Sequence, residues 1–247
     1  MNENKEWFES WFDSPYYHLL YKDRDWKEAE FFITNLNNYL NLNETHHVLD
    51  LACGKGRHSI TLNNLGIRVT GIDLSPHSIK EAKKNESENL KFAVHDMREV
   101  YKEHEFSHVF NLFTSFGYFS NTKDNEKVLQ AIYKSLKPNG IFVLDFLNIE
   151  RIISDLPSNE EKEIDGINFQ ISKKYEDHFI SKKICFSIHQ NDFSFQERVT
   201  AFTQDELIKL TSNCGFKIKD TFGGYDLSKF IHKESERLIL ILTKKGA

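Results

Sequence analysis

The chain has 247 residues, of which 39% are hydrophobic, and this composition is enough to build one sizeable core. The formal net charge of -5 argues against the basic surface with which proteins bind nucleic-acid backbones, and therefore against nucleic acid as a partner. Three widely spaced cysteines without a C-x-x-C pair predict neither a disulfide framework nor a zinc site. Because no stretch resembles a secretory leader or a membrane span, we expect no membrane contact and a cytoplasmic location.

The first 42 residues are predicted to be helical and are rich in aromatic side chains. An amphipathic helix is expected from Asp25 onward. Before it, the stretch "DSPYYHLLYKDRD" combines aromatic residues with charged groups and the helix-breaking Pro15, a composition typical of a loop over a ligand. We therefore expect the segment around Tyr16, Tyr17 and Tyr21 to be a lid over a bound ligand, with a helix packed permanently on the sheet as the alternative.

Strands and helices are predicted to alternate from residue 43 to about residue 150. The predicted strands are the apolar runs at 46–52, 67–73, 90–94, 107–113 and 140–147. Ser75 is expected to cap a helix that begins at Pro76, and a longer helix over 122–137 stops before a Pro-Asn-Gly turn. Five such strand and helix units predict an α/β fold with a parallel, doubly wound sheet.

The pattern changes after residue 150. Apolar and polar residues alternate in short runs from 163 to 202, which predicts antiparallel strands that are too few for a core of their own and should pack on the main sheet. A helix opened by Thr203 and Glu206 as a capping box follows, and two strands at 216–222 and 237–245 close the chain. We predict one domain made of an N-terminal helical lid (1–42), a cofactor-binding core (43–150), a β insertion (151–202) and the last helix and strands of the core (203–247).

The stretch "VLDLACGKGRHSI" at 48–60 places glycines between a strand and the start of a helix. Such a turn binds an anion or a polar nucleotide group, because the helix start offers free N–H donors and glycine lets the ligand approach the backbone. A dinucleotide such as NAD and a nucleoside such as S-adenosylmethionine both fit this pattern. The dinucleotide fingerprint needs a third glycine at the position of Ser59, which argues against NAD. Asp73, nineteen residues after Gly54, is placed to accept ribose hydroxyls from either cofactor.

The end of the third predicted strand separates the two cofactors. Asp96 and Met97 lie there, and a carboxylate can accept an adenine amino group while a thioether lies against the ring. Five stretches then resemble, in order and spacing, the successive motifs of class I S-adenosylmethionine-dependent methyltransferases: "DLACGKG", "GIDLS", "HDMRE", "VFNLFTSFGYF" and "LKPNGIFVLDF". The resemblance covers about residues 45 to 147. It implies S-adenosylmethionine as cofactor and a mostly parallel seven-stranded sheet, in which the last two strands form an antiparallel pair.

The resemblance also implies contacts with the methionine and ribose parts of the cofactor. Gly54 and Gly56 would admit the methionine moiety, and Asp50 would bear on its ammonium group through water. Asp73 would hold the ribose hydroxyls. A plain strand-end cap remains an alternative for Asp73.

The adenine ring is expected between the ends of the second and third strands, again by resemblance. Leu74 would cover one face of the ring, and Asp96 and Met97 would lie at the other end of the base. Alternatives stay open here too, because Asp96 is also able to cap a strand end and Leu74 to belong to the core.

The sulfonium of S-adenosylmethionine is already an activated methyl donor, so the chief task of the protein is to place the acceptor in line and exclude water. No dedicated nucleophile or metal is needed for this task, and the sequence predicts neither a catalytic residue nor a metal ligand. The loop from Asn111 to Thr114 lacks the prolines typical of enzymes that methylate bases, and residues 160–200 carry eight acidic against six basic residues. We therefore predict direct methyl transfer to a small-molecule acceptor.

Acceptor contacts are expected from loops beyond the carboxyl ends of the strands, where open parallel sheets bind their ligands. The candidate wall residues are Tyr16, Tyr17, Phe116, Tyr118, Asn148 and Arg198. Two other functions stay open, a protein or RNA methyltransferase and a non-catalytic S-adenosylmethionine-binding module. An NAD-dependent oxidoreductase is a more distant alternative, and the sequence predicts neither the acceptor atom nor the oligomeric state.

Overall fold

The computed structural model describes residues 7–22, 26–119 and 121–245, without the side chains of Trp7 and Glu9. The strands in these ranges are β1 (His47–Leu51), β2 (Arg68–Asp73), β3 (Leu90–Val94), β4 (Phe106–Asn111), β5 (Leu136–Leu147), β6 (Ser158–Ile164), β7 (Ile167–Glu176), β8 (Phe179–Ile188), β9 (Asn191–Thr200), β10 (Phe216–Phe222) and β11 (Arg237–Lys244). The α-helices are α1 (Trp7–Phe12), α2 (Pro15–Leu20), α3 (Trp26–Leu40), α4 (Arg57–Asn64), α5 (Pro76–Ala82), α6 (Thr122–Ser135), α7 (Ile149–Ser154) and α8 (Gln204–Asn213).

Seven strands form the main sheet in the order β10-β11-β5-β4-β1-β2-β3. The strands β1 to β5 pair in parallel, whereas β11 runs antiparallel to both β5 and β10. The predicted doubly wound, mostly parallel sheet with an antiparallel pair at its end is therefore confirmed. The strand order reverses between β1 and β4, and open sheets bind ligands beyond the carboxyl ends of the strands at such a reversal.

The local sequence explains the central strand and several helices around it. All five residues of β1 are buried, as expected for a strand covered by helices on both faces. Ser75 caps α5 ahead of Pro76, and Thr203 and Glu206 form the predicted capping box of α8. The short helix α7 was not predicted, because its six residues are too few to show a helical period.

The strands β6 to β9 form a separate antiparallel sheet, as the alternating pattern predicts. The expectation that these strands pack on the main sheet holds at one end, where Val199 joins the main core. Elsewhere it is wrong, because Phe169 and Phe186 are buried against Trp11 and Leu20 of the N-terminal helices. The aromatic N-terminal segment thus supplies the second layer that a four-stranded sheet needs for a core.

The helix α3 buries Phe32, Ile33 and Leu36 on one face, which confirms the predicted amphipathic helix. Its described part begins at Trp26, and the predicted start at Asp25 lies outside the described residues. Across the described ranges, the structure has no helix that is long and apolar enough to cross a membrane.

Candidate active site

A cavity of about 300 Å³ opens at the carboxyl ends of β1 to β4. One part of its wall comes from the loop after β1 (residues 52–55), from Asp73 and Leu74 after β2, and from Asp96 and Met97 after β3. Another part, here called the N-terminal wall, comes from α1, α2 and the turn after them. Its members are Phe8, Phe12, Tyr17, His18, Tyr21 and Lys22. The cavity therefore lies at the strand-order reversal. It brings the predicted cofactor residues after β1, β2 and β3 together with the N-terminal segment predicted as a lid.

The loop after β1 is held in a conformation that exposes its backbone. Ala52 and Gly54 both have left-handed backbone angles, with φ of 60° and 57°. Between them, the N–H of Cys53 donates a hydrogen bond to the carbonyl of Ile72 on β2 at 3.0 Å, which ties the loop to the sheet. A Cβ added at Gly54 would meet no atom within 4 Å, so the backbone at this glycine is open to the cavity.

Gly56 has different surroundings from Gly54. Among the described residues it is not one of those that line the cavity, and an added Cβ would lie 2.7 Å from the ring of Phe92 on β3. Its φ of 84° makes it the left-handed residue directly before α4. The structure therefore places Gly56 in the packing between α4 and β3 and off the cavity wall, and its contact with the methionine moiety stays a prediction.

Asp50, near the end of β1, is 2% exposed and lies on the cavity wall. Its carboxylate accepts a hydrogen bond from the hydroxyl of Ser59 on α4 at 2.5 Å. Burial disfavours the charged carboxylate and raises the pKa of Asp50 to about 6, against the opposing effect of the Ser59 hydrogen bond. Ser59, whose presence argues against a dinucleotide, thus also orients Asp50.

Asp73, at the end of β2, connects two parts of the site. It accepts hydrogen bonds from the backbone N–H of Gly54 and of Ser75, both at 2.8 Å, and so links the loop after β1 to the cap of α5. Burial raises the pKa of Asp73, and the two backbone hydrogen bonds partly offset this rise. Since an ionised carboxylate has about four acceptor positions, Asp73 keeps capacity for hydroxyls of a ligand in the cavity.

Leu74, Asp96 and Met97, here called the adenine-end group, lie on the same cavity wall as the sequence analysis expects. Leu74 and Met97 are half-buried and pack against the main core. The guanidinium of Arg98 donates to both oxygens of Asp96, from Nε to Oδ1 at 3.1 Å and from Nη2 to Oδ2 at 2.6 Å. Burial acts to raise the pKa of Asp96, but the hydrogen bonds and charge of Arg98 outweigh burial and lower it.

Two of the six predicted acceptor residues, Tyr17 and Tyr118, line the cavity. Tyr16, next to Tyr17 in the chain, instead packs on the insertion sheet, with its ring centroid 4.9 Å from that of Phe186. Phe116 is fully buried in the main core. These two aromatic residues therefore contribute to packing and not to the cavity wall.

Asn148 and Arg198 also lie away from the cavity. The side-chain amide of Asn148 donates to the carbonyls of His232 and Ser235, both at 2.8 Å, and so holds the loop between β10 and β11. The guanidinium of Arg198 lies 3.5 Å from the centroid of the Phe179 ring within the insertion sheet. Both side chains therefore make contacts within the protein and lie off the cavity wall.

The remaining wall includes Tyr21, which belongs to the predicted lid, but most of its other residues were not predicted from the sequence. Its further aromatic members are Phe8, Phe12, Tyr21, Trp26, Phe113 and Phe119, and its basic members are His18, Lys22, Lys55, Arg57, His58 and His95. The dense aromatic residues near the N-terminus were a usable signal for the first four. The residues after β4 gave none, because a phenylalanine on a wall and one in the core look alike in sequence.

A family model described as a methyltransferase domain matches residues 42–198. The chain is 28% identical over 229 residues to the glycine/sarcosine N-methyltransferase of Aphanothece halophytica, a match that covers 90% of this chain and 83% of that protein. Its fold is similar to that of a S-adenosylmethionine-dependent methyltransferase from Clostridium acetobutylicum ATCC 824 (TM-score 0.78, 23% identity, 94% of this chain and 96% of that one). It is also similar to that of CalS10, an amino pentose methyltransferase from Micromonospora echinaspora (TM-score 0.71, 19% identity, 99% and 100%).

The Rossmann-like, seven-stranded sheet with an antiparallel end is that of the class I methyltransferase fold. The residues fit S-adenosylmethionine, since Gly54 leaves its backbone open, Asp73 keeps acceptor capacity and Asp96 faces the same cavity. The chain belongs to the methyltransferase domain family, whose model matches most of its length. It is an enzyme that transfers a methyl group from S-adenosylmethionine.

Proposed function

We propose that the chain methylates an amine nitrogen of a small molecule by direct in-line transfer from S-adenosylmethionine. The observation that carries this proposal is the aromatic-lined cavity of about 300 Å³. A concave cavity of this size suits a small ligand. The names of two similar proteins agree with an amine, since one acts on glycine and sarcosine and the other on an amino pentose.

The composition of the wall favours an amine over other small acceptors. Eight aromatic side chains of the described residues line the cavity, five of them from the segment before β1. Aromatic faces attract ammonium groups, including methylated ones, by cation–π interaction. The described carboxylates on the wall, Asp50, Asp73 and Asp96, all belong to the predicted cofactor contacts. The aromatic rings are therefore the groups that would receive the acceptor as an ammonium ion, which must lose a proton to solvent before its neutral nitrogen attacks the methyl group.

Bound S-adenosylmethionine supplies an activated methyl group on its sulfonium. Gly54 would offer its open backbone to the methionine moiety, Asp50 would face the ammonium group and Asp73 would accept the ribose hydroxyls. The adenine-end group would contact the base, with Asp96 held in place by Arg98. The N-terminal wall would exclude water from the acceptor, which favours an oriented encounter.

A screen for formation of S-adenosylhomocysteine tests this function. The enzyme is incubated with S-adenosylmethionine and single candidate acceptors, which include glycine, sarcosine, amino sugars, catechols, carboxylic acids, unstructured peptides and transfer RNA. We expect turnover with at least one small amine, and calorimetric binding of S-adenosylmethionine but not of NAD. Turnover restricted to peptide or RNA, or cofactor binding without turnover of any small amine, would contradict the proposal.

The raised pKa of Asp50 predicts that cofactor binding depends on pH. Below about pH 6 the ligand-free carboxyl is protonated, whereas the ammonium group of the ligand favours the carboxylate, so binding must release a proton. The affinity for S-adenosylhomocysteine should therefore fall as pH falls below 6, by up to about tenfold per pH unit. Calorimetry in buffers of different ionisation enthalpy measures the released proton. Asp50→Asn, which keeps a partner for Ser59, should reduce the release, because Asp73, whose pKa is also raised by burial, stays in place. An unchanged release in this variant would exclude Asp50 as its source.

We also propose that the segment predicted as a lid opens and closes over the bound cofactor. Its residues 13–22 are described, whereas residues 23 and 24 lie outside the described residues. Asp13 accepts hydrogen bonds from the Ser75 hydroxyl at 2.6 Å and from the His77 N–H at 3.1 Å, which attaches this segment to the start of α5 beside Asp73. The division of the domain into its four predicted segments stays a prediction as well.

Hydrogen exchange checks the lid directly. The amides of α2 should be weakly protected in the ligand-free enzyme and strongly protected with S-adenosylhomocysteine, because opening must separate Asp13 from Ser75. The amides of α8, which lies outside the cavity wall, serve as an internal control and should be unchanged. Equal protection of α2 with and without ligand would mean that the segment is a fixed part of the core.

A further inference from the structure

The turn that follows β4 has a backbone conformation that its sequence disfavours. Phe113 and Thr114 both lie in the left-handed region, with φ of 59° and 58°, although neither is glycine, asparagine or aspartate. Two consecutive residues of this kind persist only where their surroundings hold them. Leu112, Phe113 and Ser115 of the same turn line the cavity, so its conformation shapes the wall.

A buried carboxylate holds this turn. Asp145 on β5 is fully buried, and its Oδ2 accepts a hydrogen bond from the N–H of Phe113 at 2.7 Å. The N–H of Thr114 donates to the backbone carbonyl of Asp145 at 3.0 Å. Both left-handed residues are thus fixed by one residue of the neighbouring strand.

Arg237, the first residue of β11, completes the arrangement. Its Nε donates to Oδ1 of Asp145 at 2.7 Å, and its Nη2 donates to the hydroxyl of Thr114 at 2.9 Å. The rigid fork of the guanidinium therefore joins the carboxylate to the turn that the carboxylate already holds. The hydroxyl of Tyr225 adds a longer hydrogen bond to Asp145 at 3.3 Å. A buried ion pair adds little net stability compared with apolar residues of similar volume. Its main effect here is to position the turn after β4.

The turn connects this pair to the ligand side of the cavity. The ring of Phe113 lies under the guanidinium of Arg57, whose Cζ is 5.1 Å from the ring centroid, and Arg57 begins α4 directly after the glycine loop. The position of Phe113 therefore affects both the turn after β4 and the loop that would receive the methionine moiety. Asp145 and Arg237 themselves do not line the cavity within the described part of the chain.

We propose that Asp145 and Arg237 are positioning residues for methyl transfer, which hold residues 112–115 in the left-handed turn that places Phe113 on the cavity wall. The inference rests on the proposed function insofar as the cavity receives the cofactor. The pair thereby preorganises the cavity, because the turn already has its left-handed conformation before ligands bind. An enzyme that populates the competent turn one tenth of the time binds ligand about ten times more weakly.

The chain offers a matched control on the same strand. Lys244, the last residue of β11, is 6% exposed and donates to the carbonyls of Tyr133 and Leu136 at 2.6 and 2.7 Å. Like Arg237 it is a basic side chain with little exposure, but it lies at the other end of the strand. A merely structural role for Arg237 predicts the same behaviour for Arg237→Met and Lys244→Met, whereas a positioning role separates them.

Calorimetry with S-adenosylhomocysteine, at a temperature where each variant is folded by circular dichroism, makes the comparison. We expect Arg237→Met to bind about tenfold more weakly than the unmutated enzyme and Lys244→Met to stay within about twofold. Adding Thr114→Gly to Arg237→Met should restore at least threefold of the loss, because glycine adopts the left-handed conformation without strain. If Arg237→Met does not fold, Arg237→Lys replaces it, since a single ammonium cannot reproduce the fork between Asp145 and Thr114.

Hydrogen exchange provides a second readout that needs no ligand. The amides of Phe113 and Thr114 should exchange faster in Arg237→Met than in Lys244→Met. Equal affinity in Arg237→Met and the unmutated enzyme, equal losses in both methionine variants, or unchanged exchange of the two amides would overturn the inference. Failure of the unmutated enzyme to bind S-adenosylhomocysteine would instead contradict the proposed function, and the exchange comparison would still decide whether the pair holds the turn.

Discussion

Asp73→Ala is expected to weaken binding of S-adenosylmethionine by about 2 to 3 kcal/mol, which corresponds to roughly 30- to 150-fold. A carboxylate that accepts two ribose hydroxyls makes charge-assisted hydrogen bonds worth about 1.5 to 3 kcal/mol each, and these do not add fully. The substitution also removes the acceptor of the Gly54 and Ser75 N–H groups, so the loop after β1 loses a contact that preorganises it. Isothermal titration calorimetry measures the effect.

Two variants separate ligand contact from loop support. Asp73→Asn keeps one oxygen for a backbone N–H, so it should retain most of the folding stability but lose most of the affinity. Asp220→Ala removes a carboxylate of β10 that accepts a hydrogen bond from the Tyr39 hydroxyl on α3, and it should leave cofactor affinity unchanged. A folded Asp73→Ala protein with unchanged affinity would show that the ribose is held elsewhere.

Gly54→Ala is expected to reduce cofactor affinity by at least about tenfold, because its Cβ would enter open cavity space in which the methionine moiety is expected. The left-handed backbone should also cost about 1 to 2 kcal/mol of folding stability. Gly66→Ala is the matched control, since Gly66 has φ of 85° and its added Cβ also meets nothing within 4 Å. Gly66→Ala should show the stability loss without the affinity loss.

Gly56→Ala completes the series. Its Cβ would clash with the ring of Phe92 in addition to the backbone strain, which should cost about 1 to 3 kcal/mol beyond the loss in Gly66→Ala. Urea unfolding measures the three free energies of unfolding, and calorimetry measures the three affinities. If Gly54→Ala and Gly66→Ala bind the cofactor equally well, Gly54 is not at the ligand surface.

The part of the cavity wall at the ends of β1, β2 and β3 could be predicted from sequence because parallel strands end at the same edge of a sheet. Once the buried strands are recognised, Asp73 and Asp96 follow from where the apolar runs stop, and the structure places both on one wall. Gly56 shows the limit of this reasoning. The motif has a glycine at this position, but the reason for it is the nearby ring of Phe92, which belongs to a strand more than thirty residues later.

Most of the remaining wall could not be predicted because it depends on which way neighbouring side chains point. Tyr16 and Tyr17 are adjacent on α2, where successive residues differ by about 100° around the helix, and Tyr17 alone of the two reaches the cavity. The same limit applies to Arg198 on β9, because successive side chains of a strand point to opposite faces of the sheet. Glu197 faces the N-terminal helices, so its neighbour Arg198 must face the other side of the sheet. In both cases the sequence shows that adjacent side chains point in different directions. Which of the two faces the cavity depends on how the helix or strand packs in the folded protein.

The carboxylate of Glu197 on β9 accepts hydrogen bonds from the indole N–H of Trp11 and the hydroxyl of Tyr21, both at 2.8 Å. The Tyr21 contact joins the N-terminal wall of the cavity to β9, 176 positions later in the chain. A chimera that exchanges the insertion alone would leave the indole of Trp11 facing a foreign strand, whereas one that exchanges residues 1–42 and 151–202 together would keep the junction intact. In recombination between relatives, residues 1–42 and 151–202 should therefore be exchanged together, while the parallel strands between them are kept.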